Sequence, residues 1–176
     1  METLTRTKWA VDTAHSEVGF KVRHMMISTV KGHFDEFEAD LYTNGDDIST
    51  AEVNVKINTA SVNTKNKDRD AHLRSDDFFN AEEFPQMTFV SKSYDGEKMI
   101  GDLTIREITK EVELDVEFNG IVQDPYGRTK AGFEISGTIL RKEFGLKWDA
   151  ITEAGSVVVS DNVTLSIDAQ FIMQGE

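Results

Sequence analysis

The 176-residue chain has no cysteine, two prolines, and 19 lysines and arginines against 32 aspartates and glutamates. Each scarcity excludes something. Without cysteine there is no disulfide, no thiolate metal site and no cysteine nucleophile. Two prolines, Pro85 and Pro125, and no low-complexity run leave nothing that reads as a linker. One domain over residues 1–176 is expected, of a length that buries a core without staples. The formal charge of −13 repels phosphate backbones and anionic bilayers, so no nucleic-acid partner is expected. No stretch approaches the ~20 apolar residues of a membrane span. The opening METLTRTKWAVD lacks the apolar run of a signal peptide. The expectation is a cytoplasmic protein without stable membrane insertion.

What is present is alternation. Val18, Phe20, Val22 and His24 alternate with Glu17, Gly19, Lys21 and Arg23. Successive side chains of a strand point to opposite faces, so the pattern marks a strand with one dry face and one wet face. A first strand is expected over 11–24, begun by Trp9 and Val11 and bent at 12–15. A second runs over 28–42. Its apolar parity changes between Phe34 and Phe37, as one extra residue at Asp35–Glu36, a β-bulge, would cause. Six more follow. They carry Val53, Val55 and Ile57; Met87 and Phe89; Leu103 and Ile105; Leu114, Val116 and Phe118; Phe133 and Ile135; and Leu165 and Ile167. Asn44-Gly45 and Asp95-Gly96 mark tight turns. Residues 59–84 lose the alternation. A short helix over 66–73 is expected there, with Ser75 as the cap of a further turn. Phe78, Phe79 and Phe84 would dock this insert on the sheet. Residues 140–161 read as a long connection, a flap.

Eight half-dry strands need a cover, and there is too little helix to give one. Sequential turns favour an all-β, eight-stranded antiparallel up-and-down barrel with a helical insert around 65–84. Closure also removes the edge strands. Such a barrel is wide enough for a packed core or for one small ligand. Gly32, Ala39, Ala51, Ser91, Gly101, Ala131, Gly137 and Ala169 share the parity of the large apolar residues. They suggest free interior volume, suited to a long aliphatic chain; taper and strand bends are the plain alternative.

The chain resembles the YceI family of polyisoprenoid-binding proteins over nearly its whole length. The likeness rests on W-x-V-D-x-x-H-S-x-V-x-F at 9–20, H-M-M-I-S-x-V-x-G-x-F at 24–34, S-V-N-T at 61–64 and R-D-x-H-L-R-S-x-D-F-F at 69–79. It continues in P-Q-M-T-F at 85–89, G-D-L-T-I at 101–105 and R-K-E-F-G-L at 141–146. The resemblance implies a lipocalin-like barrel with a tunnel for a polyprenyl phosphate, an isoprenoid quinone, a fatty amide or a similar lipid, held for transport, storage or sequestration. It implies no required cofactor beyond that ligand, and no catalysis. One departure is Arg106-Glu107-Ile108-Thr109, where the family often has a glycine; a different hairpin is expected there.

Parity makes Phe20, Val22, Val30, Phe34, Val53, Val55, Ile57, Phe89, Leu103, Val116, Phe133, Ile135 and Ile167 the wall around a ligand. His24 stands at the rim, either closing the barrel end through backbone hydrogen bonds or meeting a head group. Arg141 and Lys142, with Lys147, flank Phe144 and Trp148. They form either a basic spot for an anionic head group or a solvated loop whose aromatics cap the barrel. Arg69-Asp70-x-His72 has the outline of a catalytic cluster but lacks a nucleophile, so a structural clamp is favoured, with Asp70 and Arg74 as helical partners. His15, His24, His33 and His72 are scattered, and no metal site is expected. An enzyme acting on an isoprenoid lipid and a stress-related scaffold with a vestigial cavity are the alternatives. A homodimer is open to any barrel, but nothing in the sequence fixes one.

Overall fold

The computed structural model describes residues 6–24, 28–45, 47–146 and 159–174, without the side chains of His24 and Val159. Strands β1 (Arg6–Val11), β2 (Glu17–His24), β3 (Ser28–Phe34), β4 (Phe37–Asn44), β5 (Asp47–Asn58) and β6 (Val62–Asn63) form the first half. Helix α1 (Lys67–Arg74) follows. Strands β7 (Gln86–Tyr94), β8 (Lys98–Ile105), β9 (Ile108–Gln123), β10 (Thr129–Leu140) and β11 (Val159–Met173) complete the sheet. All described pairings are antiparallel, and β1 pairs with β11 to close the ring.

The eleven strands make eight staves, because three staves are bent. β1 and β2 are halves of one: Trp9–Val11 pair with 171–173 of β11, and 17–22 pair with 163–168 of the same strand. Asp12 makes the bend. Its side chain accepts from the Ala14 N–H at 3.1 Å and caps a 3-10 turn at Thr13–His15. β3 and β4 are halves of the second stave, and β5 and β6 of the third. Their bends nest: the Asp35 N–H donates to the Ser61 carbonyl, and the Glu36 N–H to Ser61 Oγ at 3.0 Å. The parity change at Asp35–Glu36 is thus an interruption shared by two staves, not a bulge within one strand. All eight expected strands are present; the two-residue β6 escapes sequence reading because so short a stretch has no period.

Sequential connections give the barrel two ends. The hairpin end carries the turns at 44–47, 94–98 and 123–129. At Gly45 the backbone takes φ 61°, where a side chain would be strained. Trp9 is fully buried toward this end, and its Nε1 donates to the buried Thr43 Oγ1 at 2.9 Å. The helix end carries α1, the β8–β9 hairpin and the start of β11.

The insert differs in detail from expectation. Asn66 caps α1 by accepting from the Arg69 N–H at 3.0 Å. Ser75 ends this helix and does not start another; its Oγ donates to the His72 carbonyl at 2.5 Å, and turns follow. Phe78 and Phe79 are buried and Phe84 half-buried, as docking requires. Asp70 does not pair with Arg74; it accepts from the Thr64 N–H and hydroxyl at 2.8 and 2.6 Å. Phe118 keeps the parity of Val116 and pairs with Phe133. A register shift next to Phe133 leaves it 38% exposed, its ring leaning on Phe133.

Candidate ligand-binding cavity

The inward faces of the eight staves enclose two adjoining chambers. The inner one, of about 150 Å³, is lined almost wholly by apolar side chains from every stave. Phe20, Phe34, Val53, Val55, Ile57, Phe89, Leu103, Val116, Phe133, Ile135 and Ile167, all expected as wall residues, line it. The outer chamber, of about 480 Å³, lies at the helix end under α1 and the segment after it. Val22, Val30 and Arg141 line this one, together with Phe20 and Phe34. Parity therefore finds the wall because each stave presents alternate residues to one lumen. Phe144 lines neither chamber. It is 1% exposed, buried in a 3-10 turn at Arg141–Phe144 that closes on Gly145. His24 is the last residue of β2, paired with Ser28; its side chain, Lys147 and Trp148 lie outside the described residues.

The small inward residues serve a purpose other than free volume. The Phe20 ring lies over Gly32, its cross-strand partner, and the Phe89 ring lies over Gly101. The Leu114 methyl fills the space above Gly137. Each glycine is a seat that lets a large side chain lie close to the wall. Ser91 is different again: its Oγ accepts from the Val53 N–H at 2.9 Å beside a register shift, filling a gap in the ladder.

At the outer rim Arg69, His72 and Arg141 are engaged with the protein. Arg69 donates from Nε to Thr64 Oγ1 at 2.8 Å and from its guanidinium to the Thr64 carbonyl at 2.9 Å. It is a clamp between helix and barrel. His72 faces Asp77 at 2.9 Å and stacks edgewise on Phe78. Arg141 is 2% exposed. It donates to the Leu146 and Ser160 carbonyls at 2.7 and 2.9 Å, with Asp161 at 3.8 Å. Lys142 also pairs with Asp161, at 3.1 Å. Arg141 is thus no residue of a solvated loop: it is tied to main-chain carbonyls and also lines the outer chamber.

The three histidines whose side chains are described sit apart, each beside a carboxylate: His15 with Asp12, His33 with Asp35 and Glu17, His72 with Asp77. Asp12 also meets the buried Lys130 at 2.9 Å. The hydrogen bond from Lys130, with one from His15 and the Ala14 N–H, outweighs burial and holds the Asp12 carboxyl down at about 2. This cluster lies on the outer face, where it locks the bend of the first stave to β10.

The departure at Arg106 has a definite form. Arg106 takes φ 56°, the left-handed conformation glycine favours, in a two-residue hairpin between β8 and β9. Its guanidinium fans over the carbonyls of Asp76, Phe78 and Gly145 at 3.3 to 3.5 Å and lies over the Phe84 ring. The arginine thus joins hairpin, insert and 3-10 turn at the helix end.

Several lining residues lay outside the expected wall. Leu114, Leu165, Met87, Ile105 and Ile139 share the parity of their expected neighbours, so the signal was present. Phe78, Phe79 and Leu73 line the outer chamber from a segment without period, and only docking geometry reveals them.

The chain is similar to known proteins over almost its entire length. A family model described as YceI-like domain matches residues 9–171. A UPF0312 protein of Staphylococcus aureus is 41% identical over 166 residues, 94% of this chain and 97% of the relative. The crystal structure of a Campylobacter jejuni YCEI protein superposes with a TM-score of 0.73 at 37% identity, covering 100% of both chains. A polyisoprenoid binding domain from Saccharophagus degradans shares the fold, with a TM-score of 0.68 at 17% identity over 94% of this chain and 98% of that one.

Proposed function

This chain belongs to the family of YceI-like domains, and from that premise we propose that it binds a long-chain isoprenoid or similar lipid inside its barrel. The observation that carries the reading is the lumen itself. An almost wholly apolar inner chamber opens toward a larger chamber with polar groups on its rim. The end of a hydrocarbon tail fits the first, and the rest of the tail with its polar head the second. At ~0.8 kcal/mol per buried CH2, a tail of several isoprene units supplies ample affinity without directional contacts. The similarity of fold to a polyisoprenoid binding domain supports the same class of ligand. A polyprenyl phosphate, an isoprenoid quinone and a fatty amide all meet these demands.

The role is carriage, storage or sequestration, not turnover. Arg69 and Asp70 are engaged with Thr64, and His72 with Asp77, which supports a structural use of this cluster. Among the described residues no helix is long and apolar enough to cross a membrane.

Displacement of an environment-sensitive fluorophore by prenyl alcohols tests the proposal. Wild type releases the probe on addition of the alcohol. Val55→Glu, which puts a charge in the inner wall, lowers affinity at least ~10-fold because the carboxylate resists desolvation. Equal affinity in both proteins would place binding elsewhere.

A further inference from the structure

The two chambers meet at a waist, and six residues line both: Phe20, Phe34, Met87, Ile105, Ile139 and Leu165. Two of them are aromatic, with ring centroids 5.7 Å apart, and Phe34 is braced from the outer side by the edge of Phe79, also at 5.7 Å. How far a tail passes from the outer chamber into the inner one depends on where the Phe20 ring lies. That ring is held back by an absence. It rests over Gly32, directly opposite on β3, where a methyl group would overlap Phe20 Cζ and come within 2.8 Å of Cε1 and 2.9 Å of the Thr64 methyl.

We propose that Gly32 is the seat of a gate, that Phe20 is the gate, and that together they set the length of hydrocarbon the barrel accepts. The inference rests on the lipid-binding reading above and deepens it by naming what selects the ligand. The three atoms nearest a Cβ at position 32 all belong to side chains, so strain there falls first on a ring and a methyl group and not on the ladder. Gly101 shows the contrast. There a Cβ would also meet the Val90 carbonyl at 2.6 Å, so the backbone itself forbids it. Phe20 is flanked across the strands by Gly32 on one side and Leu165 on the other. A ring evicted from the glycine seat has the lumen before it, and in a close-packed wall that is where it goes. Position 32 thus sets tail length: glycine holds the waist open, and any larger residue narrows it.

The test uses the full chain and two prenyl alcohols, farnesol with three isoprene units and solanesol with nine, in the same displacement assay. Wild type binds both. Gly32→Ala retains farnesol within about 2-fold and loses solanesol by 10-fold or more. Adding Phe20→Ala to Gly32→Ala removes the displaced ring and restores solanesol. Phe20→Ala alone, which needs no seat and keeps the protein testable if Gly32→Ala does not fold, shifts preference toward solanesol. A long-to-short affinity ratio unchanged in Gly32→Ala or in Phe20→Ala overturns the gate while leaving the lipid-binding reading intact. A wild type that binds neither alcohol overturns that reading, and the gate with it.

Discussion

At the scale of single residues, the groups that hold the barrel are polar side chains at places where a strand bends or a ring needs closing. Trp9 is buried whole, and its indole N–H is satisfied by Thr43, which in turn donates to the Gly45 carbonyl at 2.5 Å. Thr43→Val removes both bonds and strands a buried donor. The variant loses about 1–3 kcal/mol of stability, read as a lower urea midpoint with an unchanged slope. Asp12 has a pH signature. Its folded pKa, about 2, lies below the ordinary 3.8, so its ion pair with Lys130 stabilises the fold above about pH 4. That contribution is lost as the pH falls through about 2. Asp12→Asn flattens the stability profile over this window in thermal melts, and a profile identical to wild type would mean Asp12 is not held by Lys130.

At the scale of elements, the helix of the insert depends on few contacts, while Phe78 and Phe79 hold the segment after it in the core. Helix α1 buries none of its residues and is tied to the barrel through Arg69, Thr64 and Asp70. Arg69→Ala releases it, and limited proteolysis then cuts within 64–84 at least several-fold faster while the strands stay protected from hydrogen exchange. The wet face has its own logic. Lys92 pairs with Glu111 and Asp102, and Lys98 with Asp115 and Glu113, but Glu134 lies opposite Glu117 on one side and Asp168 on the other. Sharing a hydrogen bond with Glu117, and the repulsion between the two, raises the Glu134 pKa. Because the folded pKa is raised, the protonated form is the one the fold favours, and the penalty grows as the pH rises through it. Glu134→Gln therefore raises the melting temperature at neutral pH, and its benefit shrinks as the pH is lowered.

Elements were also where the sequence was most and least legible. Period-two alternation is a local property, so Val112 to Val116 or Phe133 to Gly137 declare a strand and its dry face unaided. The bend at 35–36 shows in the sequence only as a parity change and the one at 59–61 only as a loss of alternation, because these nested bends depend on hydrogen bonds between segments far apart in sequence. Gly32 and Gly101 were read as volume. Only the positions of Phe20 and Phe89 show them to be seats. For Arg141 the sequence leaves a head-group cation and a solvated loop both open, and its carbonyl partners at Leu146 and Ser160 come from chain geometry that no spacing rule contains.

At the scale of the whole molecule, closure explains the rest. Joining β1 to β11 hides every long strand edge and converts eight dry faces into one lumen. The acidic exterior keeps such a body dispersed, while the lumen is left with a narrow apolar end and a wider end with a polar rim. That polarity of shape is what a lipid with a tail and a head requires. Organic extraction of the protein purified from its own cells, followed by lipid mass spectrometry, tests this most directly. The barrel should yield a long-chain isoprenoid or similar lipid at close to one molecule per chain, depleted in Val55→Glu. An extract free of lipid, from a protein that also takes up no prenyl alcohol, would contradict it.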